Sequence, residues 1–230
     1  HLERADAPSR GGMGWKLAAK FPPRLAWLYS VAGDREGARA WIERSLEYKN
    51  ANEELALDLV ETMRLNGRSE EDVAVALARV IQRNPALHRV RMMVAFEAAQ
   101  RGETASALKQ VDVIRTNLDE STPDAVLTAF QLLSQLGKTA EAVALLEQSL
   151  NAKPMKRSVP MRLTLAQSLF ALGRKDEAAT RMREAAALDP DNPAHLRNLA
   201  GLLRAAGNPV AAEVEEGRAA ELEAAPVKKP

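Results

Sequence analysis

The sequence predicts an all-α fold, a linear stack of helical hairpins, on three observations. Gly33, Gly67, Gly102, Gly137, Gly173 and Gly207 recur at steps of 34, 35, 35, 36 and 34 residues. Apolar residues keep the same offsets from each of these glycines. No alternating apolar and polar run bounded by turn residues occurs, so strands are not expected. A repeat of this length marks an architecture in which one unit cannot bury its apolar face alone and must lean on its neighbours.

The apolar rows define the units. Eight residues before each glycine stand Leu25, Leu59, Val94, Ala129, Leu165 and Leu199, and four before it Tyr29, Met63, Ala98, Leu133, Leu169 and Leu203. Rows four apart share one face of a helix. Five residues after the glycine come Ala38, Ala107, Ala142, Ala178 and Ala212, whose methyl groups let two helices approach closely. The second period slips by one residue and uses Val73, Leu77 and Val80. Glycine itself is the usual helix stop, because it enters the left-handed region without a steric cost.

Capping residues set the starts. Thr122-Pro123, Asn192-Pro193 and Asn208-Pro209 each place a capping side chain before a first-turn proline, and Ser69-Glu70-Glu71-Asp72 resembles a capping box. The spacing predicts helix pairs over 22–32 and 35–48, 52–66 and 69–84, 86–101 and 104–117, 122–136 and 139–152, 159–172 and 175–188, and 193–206 and 209–224. Residues 1–20 read as a lead-in or partial cap, with Trp15, Leu17, Ala18 and Ala19 its apolar part and a Gly-rich stretch at 11–14. Residues 225–230 read as a frayed tail.

Composition narrows the function classes. Hydrophobic residues at 46% and charged residues at 27% suit a folded chain rather than a disordered one. Lys and Arg total 32 against 31 acids, a balance that argues against bulk attraction to nucleic acid or anionic membrane. No cysteine is present, which excludes disulfides, Cys-ligated zinc and thiol catalysis and leaves the compartment, bacterial cytoplasm or periplasm, open. No apolar run reaches the length of a membrane span. With aromatics at only 4%, the core must be built from Ala, Leu, Val and Met.

The stretch from Val159 to Asn192, with Leu165, Ala166, Leu169, Gly173, Ala178, Met182, Ala185 and Pro190, resembles the tetratricopeptide repeat (TPR) family. The pattern recurs over 21–224, in repeats of 21–51, 52–86, 87–121, 122–157, 158–192 and 193–224. Most copies lack the aromatic expected early in the first helix, Phe130 replaces a small residue, and Asn50, Asp119 and Ala224 replace the terminal proline. The resemblance implies a right-handed α-solenoid of about six helix-turn-helix repeats, whose first helices line a concave groove that binds a peptide or protein segment. Glu216 falls in a slot that is apolar in other copies, so the last helix is expected to be a solvated cap.

Three rows then face the groove. Ten, six and three residues before the glycines lie Leu57, Glu61 and Arg64 in the second repeat, and Met92 and Phe96 in the third. Leu127, Gln131 and Ser134 follow in the fourth, and Leu163, Gln167 and Phe170 in the fifth. An apolar strip interleaved with amides suits a peptide with apolar anchors. For Leu57, Leu127 and Leu163, packing against the adjacent first helix is an equal reading. The TPR members that clamp a terminal carboxylate use Lys, Arg and Asn in these rows. Here only Asn198, with Arg197 and Arg204 beside it, is of that type.

Catalytic, cofactor and metal sites are not expected. His88 and His195 are far apart in sequence, and no cysteine joins them. Ser106 and Lys109 have the spacing of a Ser-Lys nucleophile pair, but Ala107 is a repeat position and companion motifs are missing. The run Lys153-Pro154-Met155-Lys156-Arg157 reads as a solvated loop. The sequence therefore predicts a non-catalytic scaffold or adaptor. The alternatives are a piece of a bacterial envelope or polysaccharide- or protein-secretion assembly, and the repeat arm of a larger enzyme; a targeting segment upstream of His1 stays open.

Overall fold

A computed structural model describes residues 22–47 and 52–224. The lead-in with Trp15 and Leu17, the Gly-rich stretch, Asn50 and the tail lie outside them. The fold is an all-α helical-repeat solenoid, and the described residues contain no strand. The helices are α1 (Pro22–Val31), α2 (Arg35–Leu46), α3 (Glu53–Leu65), α4 (Glu70–Arg83), α5 (His88–Gln100) and α6 (Thr104–Thr116). They continue with α7 (Pro123–Gln135), α8 (Thr139–Ser149), α9 (Val159–Ala171), α10 (Lys175–Leu188), α11 (Pro193–Ala205) and α12 (Pro209–Ala224).

The glycines end the first helix of every pair in one way. Their φ angles lie between 71° and 83°. Each glycine N–H donates to the carbonyl three residues back, and the next N–H to the carbonyl five back, at 2.8–3.1 Å. In the fourth pair these bonds are Gly137 to Ser134 and Lys138 to Leu133. This double bond satisfies carbonyls that would otherwise be orphaned, and only glycine holds the left-handed turn without strain. At the helix starts the Ala125, Ala194, Ala211 and Asp72 N–H groups donate to Thr122, Asn192, Asn208 and Ser69, as the capping pattern predicts.

The chain divides into two compact units, one ending at Val111 and the other beginning at Asp112, within α6. In the first unit α1 packs on α2 and α3, α3 on α4 and α5, and α4 on α5. The first helices α1, α3 and α5 thus stand side by side. Their core joins Ala26, Tyr29, Trp41, Ile42, Leu59, Met63, Leu77 and Val80. In the second unit α7 packs on α8, α8 on α9, α9 on α10, α10 on α11 and α11 on α12. Leu165, Leu169 and Leu146 are fully enclosed there. Each such side chain contributes about 1.5–3 kcal/mol by leaving water.

Three local features depart from the simple repeat. Gly37, inside α2, exists because Tyr29 lies against it: a Cβ there would meet the Tyr29 ring at 2.4 Å. The basic run after α8 is not simply a solvated loop, since Lys153–Met155 forms a 3-10 turn and Met155 is completely buried. The two extra residues of that connection let the Met155 side chain reach inward while the lysines stay in water. Finally, α5 has no side-chain cap of its own. Glu53, at the start of α3, accepts the Arg89 and Val90 N–H groups at 2.9 and 3.1 Å and caps α5 from the preceding repeat.

Candidate functional site

The three rows of the first unit expected to face a groove meet on α3. Leu57, Glu61 and Arg64 lie on one face of that helix, and with Val60, Leu65 and Met93 they line one cavity of about 400 Å³. Its lining is mostly apolar. Leu57 is half-buried, Leu65 is 55% exposed, and Glu61 and Arg64 stand at the rim.

The rim is held by charge. The Arg64 guanidinium donates to both oxygens of Glu70, at 2.9 and 2.8 Å, and to Glu97 at 3.2 Å. This bidentate pair holds the Glu70 carboxyl below the usual carboxylate range and raises Arg64. Arg101 makes the same two-pronged contact with Glu103, which is likewise lowered. Arg24, on α1, bonds Glu54 and Asp58 at 3.1 Å each. Glu61 forms no ion pair or hydrogen bond among the described residues.

One groove residue is corrected. Met92 is 1% exposed and belongs to the core. Val90, Arg91, Met92, Val94 and Ala95 are all buried, and the open face of the first half of α5 is the Arg89–Met93 line instead. Met93, one position on, is the methionine that lines the cavity. Sequence reasoning also missed Leu65. The signal was present, because the row two before the glycines holds Val31 and Leu65, both more than half exposed.

The second unit presents a different set. Leu127 and Leu163 are half-buried, and Leu163 packs against the cluster of Ala166, Leu199 and Leu203. Gln131 and Gln167 are exposed with no side-chain hydrogen bond among the described residues. Phe170 is 40% exposed, and the Ser134 hydroxyl donates to the Phe130 carbonyl at 2.9 Å. Phe96, in the first unit, is half-buried.

The clamp-type cations of the last repeat are already occupied. Arg204 pairs with Glu216 at 2.9 Å and Arg197 with Glu223. Glu216 is 46% exposed, so its carboxylate sits in water in the slot that other copies fill with an apolar group. His195 occupies an otherwise apolar slot, that of Leu55, Val90, Ala125 and Met161. It bonds Asp189 through Nε2 at 2.9 Å. The Asn192 amide, and then this imidazole, hold Asp189 below the ordinary aspartate value. The pair ties the turn between α10 and α11. Among the described residues, no group of three His, Cys, Asp or Glu side chains is arranged to hold a metal, and Ser106 and Lys109 are both exposed on α6.

Two tetratricopeptide repeat models match the chain, over residues 159–202 and 24–44. Both matches fall in the same glycine frame as the six turns. These segments of the chain are tetratricopeptide repeats. Solved structures share the fold of this TPR chain. A crystal structure of MamA protein has a TM-score of 0.52 at 13% identity, covering 74% of this chain and 91% of that one. A second MamA crystal structure gives 0.51 at 12%, covering 71% and 94%. The MamA RS-1 ArsTM double mutant gives 0.50 at 17%, covering 74% and 94%. At these identities the likeness is one of fold. No curated protein sequence matches the chain. Among the described residues no helix is long and apolar enough to cross a membrane.

Proposed function

We propose that this TPR chain is a non-catalytic protein-interaction scaffold that receives a partner segment on the face of its first helices. Repeat arrays of this kind expose a long side rather than an enclosed pocket, and recognition is their common use. The observation that carries the reading is the apolar cavity between α3 and α5. Leu57, Leu65 and Met93 leave water-facing carbon there, over the buried Val60, that no neighbouring helix covers. A large side chain laid in it would cover that carbon on one side, as an anchor residue does.

The test compares two faces. Leu65→Glu puts a carboxylate at the cavity lip. Val75→Glu, at an equally exposed position on the second helix α4, changes the opposite side of the hairpin. Proteins captured by the intact gene product are expected to be lost with Leu65→Glu and retained with Val75→Glu. Capture that survives the first change and fails with the second overturns the assignment.

A further inference from the structure

The chemistry of the cavity rim says what kind of segment fits it, given the first-helix reading above. On and around this face of the first unit stand four guanidiniums, Arg24, Arg64, Arg89 and Arg101. Six carboxylates accompany them: Glu54, Asp58, Glu61, Glu70, Glu97 and Glu103. Four against six leaves a net charge of −2. Arg64 is shared by two carboxylates, and so is Arg24, so neither guanidinium has charge left over for an incoming acid. Glu61 is the reverse case. It lines the cavity, is exposed, and forms no ion pair among the described residues, the neighbouring Arg64 being turned to Glu70 and Glu97. The apolar floor and the unmatched carboxylate are one helical turn apart, since Leu57 and Glu61 are separated by four residues.

We propose that the α3–α5 cavity takes a Leu, Met or Phe side chain of a partner segment that carries a Lys or Arg within two positions of this anchor, the cation pairing with Glu61. An acidic segment would meet Glu61, Glu70 and Glu97 on a face of net negative charge, where Arg64 is already held by two carboxylates and Arg89 alone is unpaired among the described residues, and the excess like charge repels it. A purely apolar segment would fill the floor and leave Glu61 beside a drying surface, which costs solvation. The basic and apolar pattern is the one composition that satisfies both the floor and the rim.

A displayed library of short random peptides, selected on the purified chain, tests this. Retained peptides are synthesised and titrated by fluorescence anisotropy against the parent protein, Glu61→Lys, Glu61→Gln and Leu65→Glu. All three substitutions fall on exposed positions, and unchanged helical circular dichroism checks the fold. The expected peptides share an apolar anchor with an adjacent Lys or Arg. Their affinity falls as salt rises, by about tenfold on Glu61→Lys and by less on Glu61→Gln, and is lost on Leu65→Glu. Peptides with neutral or acidic flanks, or peptides indifferent to Glu61→Lys, overturn the partner chemistry; if they still need Leu65, the first-helix reading stands. Peptides indifferent to Leu65→Glu, or a library from which none is retained, overturn both.

Discussion

The first-helix faces of the two units share one backbone frame and differ in chemistry. In the first, Glu61 and Arg64 stand over an apolar cavity within a net of carboxylates. In the second, the matching positions of the fourth and fifth repeats are Gln131, Ser134, Gln167 and Phe170, neutral and free of ion pairs, and a charge returns only in the last repeat, where Arg204 pairs with Glu216. The same contrast, reversed, occurs beneath the surface. Arg91 and Arg162 both lie eleven residues before their glycines. Arg162 finds the Glu184 carboxylate and the Ser158 and Lys156 carbonyls. Arg91, 6% exposed, finds only Gln110 at 2.9 Å and the Pro85 carbonyl at 3.3 Å, and burial lowers its pKa. A repeat therefore fixes where a side chain sits, and each copy must then balance its charge separately.

The sharpest way to break this comparison is to attack what one unit has and the other lacks. Met155→Ala should empty a fully enclosed site that, among the described residues, only the second unit has, at a cost of about 2–4 kcal/mol by urea denaturation. A loss below that range would mean the 3-10 turn collapses onto the space. Gly137→Ala and Gly102→Ala should each cost about 1–2 kcal/mol, because both force an L residue into the left-handed region. Equal losses would show that the turns are interchangeable between units, and unequal ones that packing decides.

The two arginines come next. Glu184→Ala should cost about 1–2 kcal/mol by removing a charged hydrogen-bond partner of Arg162. Arg91→Leu should be neutral or slightly stabilising, since it removes a buried cation that no carboxylate compensates. A large loss on Arg91→Leu would show that the Gln110 and Pro85 bonds outweigh desolvation.

The smallest effect expected is that of pH on the α10–α11 turn. Asp189 is depressed in the folded state, so its stabilisation is present above the ordinary aspartate value and lost as pH falls through the depressed one. A melting-temperature profile in acid should therefore flatten on Asp189→Asn, and an unchanged slope would remove Asp189 from the account.

The helix frame was legible because it rests on short-range rules. A glycine needs a left-handed turn, a Thr or Asn before a proline starts a helix, and rows four apart bury together. The observed helices follow, although α8 stops at Ser149, short of the span to 152, because the chain turns there to bury Met155. The site was half legible. Register placed Leu57, Glu61 and Arg64 on one face, and they line one cavity, which is a matter of position and not of binding. Met92 was misplaced because offsets from a glycine do not show that the open face of α5 runs through Arg89 and Met93, one position away. Glu97 and Glu70 were missed because ion pairing between residues 33 and 6 positions away from Arg64 leaves no trace in an apolar pattern.

The Glu53 carboxylate on the α5 backbone makes the third hairpin a dependent of the second. Its opening N–H groups are quenched by a residue that belongs to the preceding period, so growth along the chain has a built-in sense of direction. Excising residues 52–86 would remove more than a spacer. The shortened protein would begin its next hairpin with a frayed edge, and its melting would lose sharpness before it lost helix.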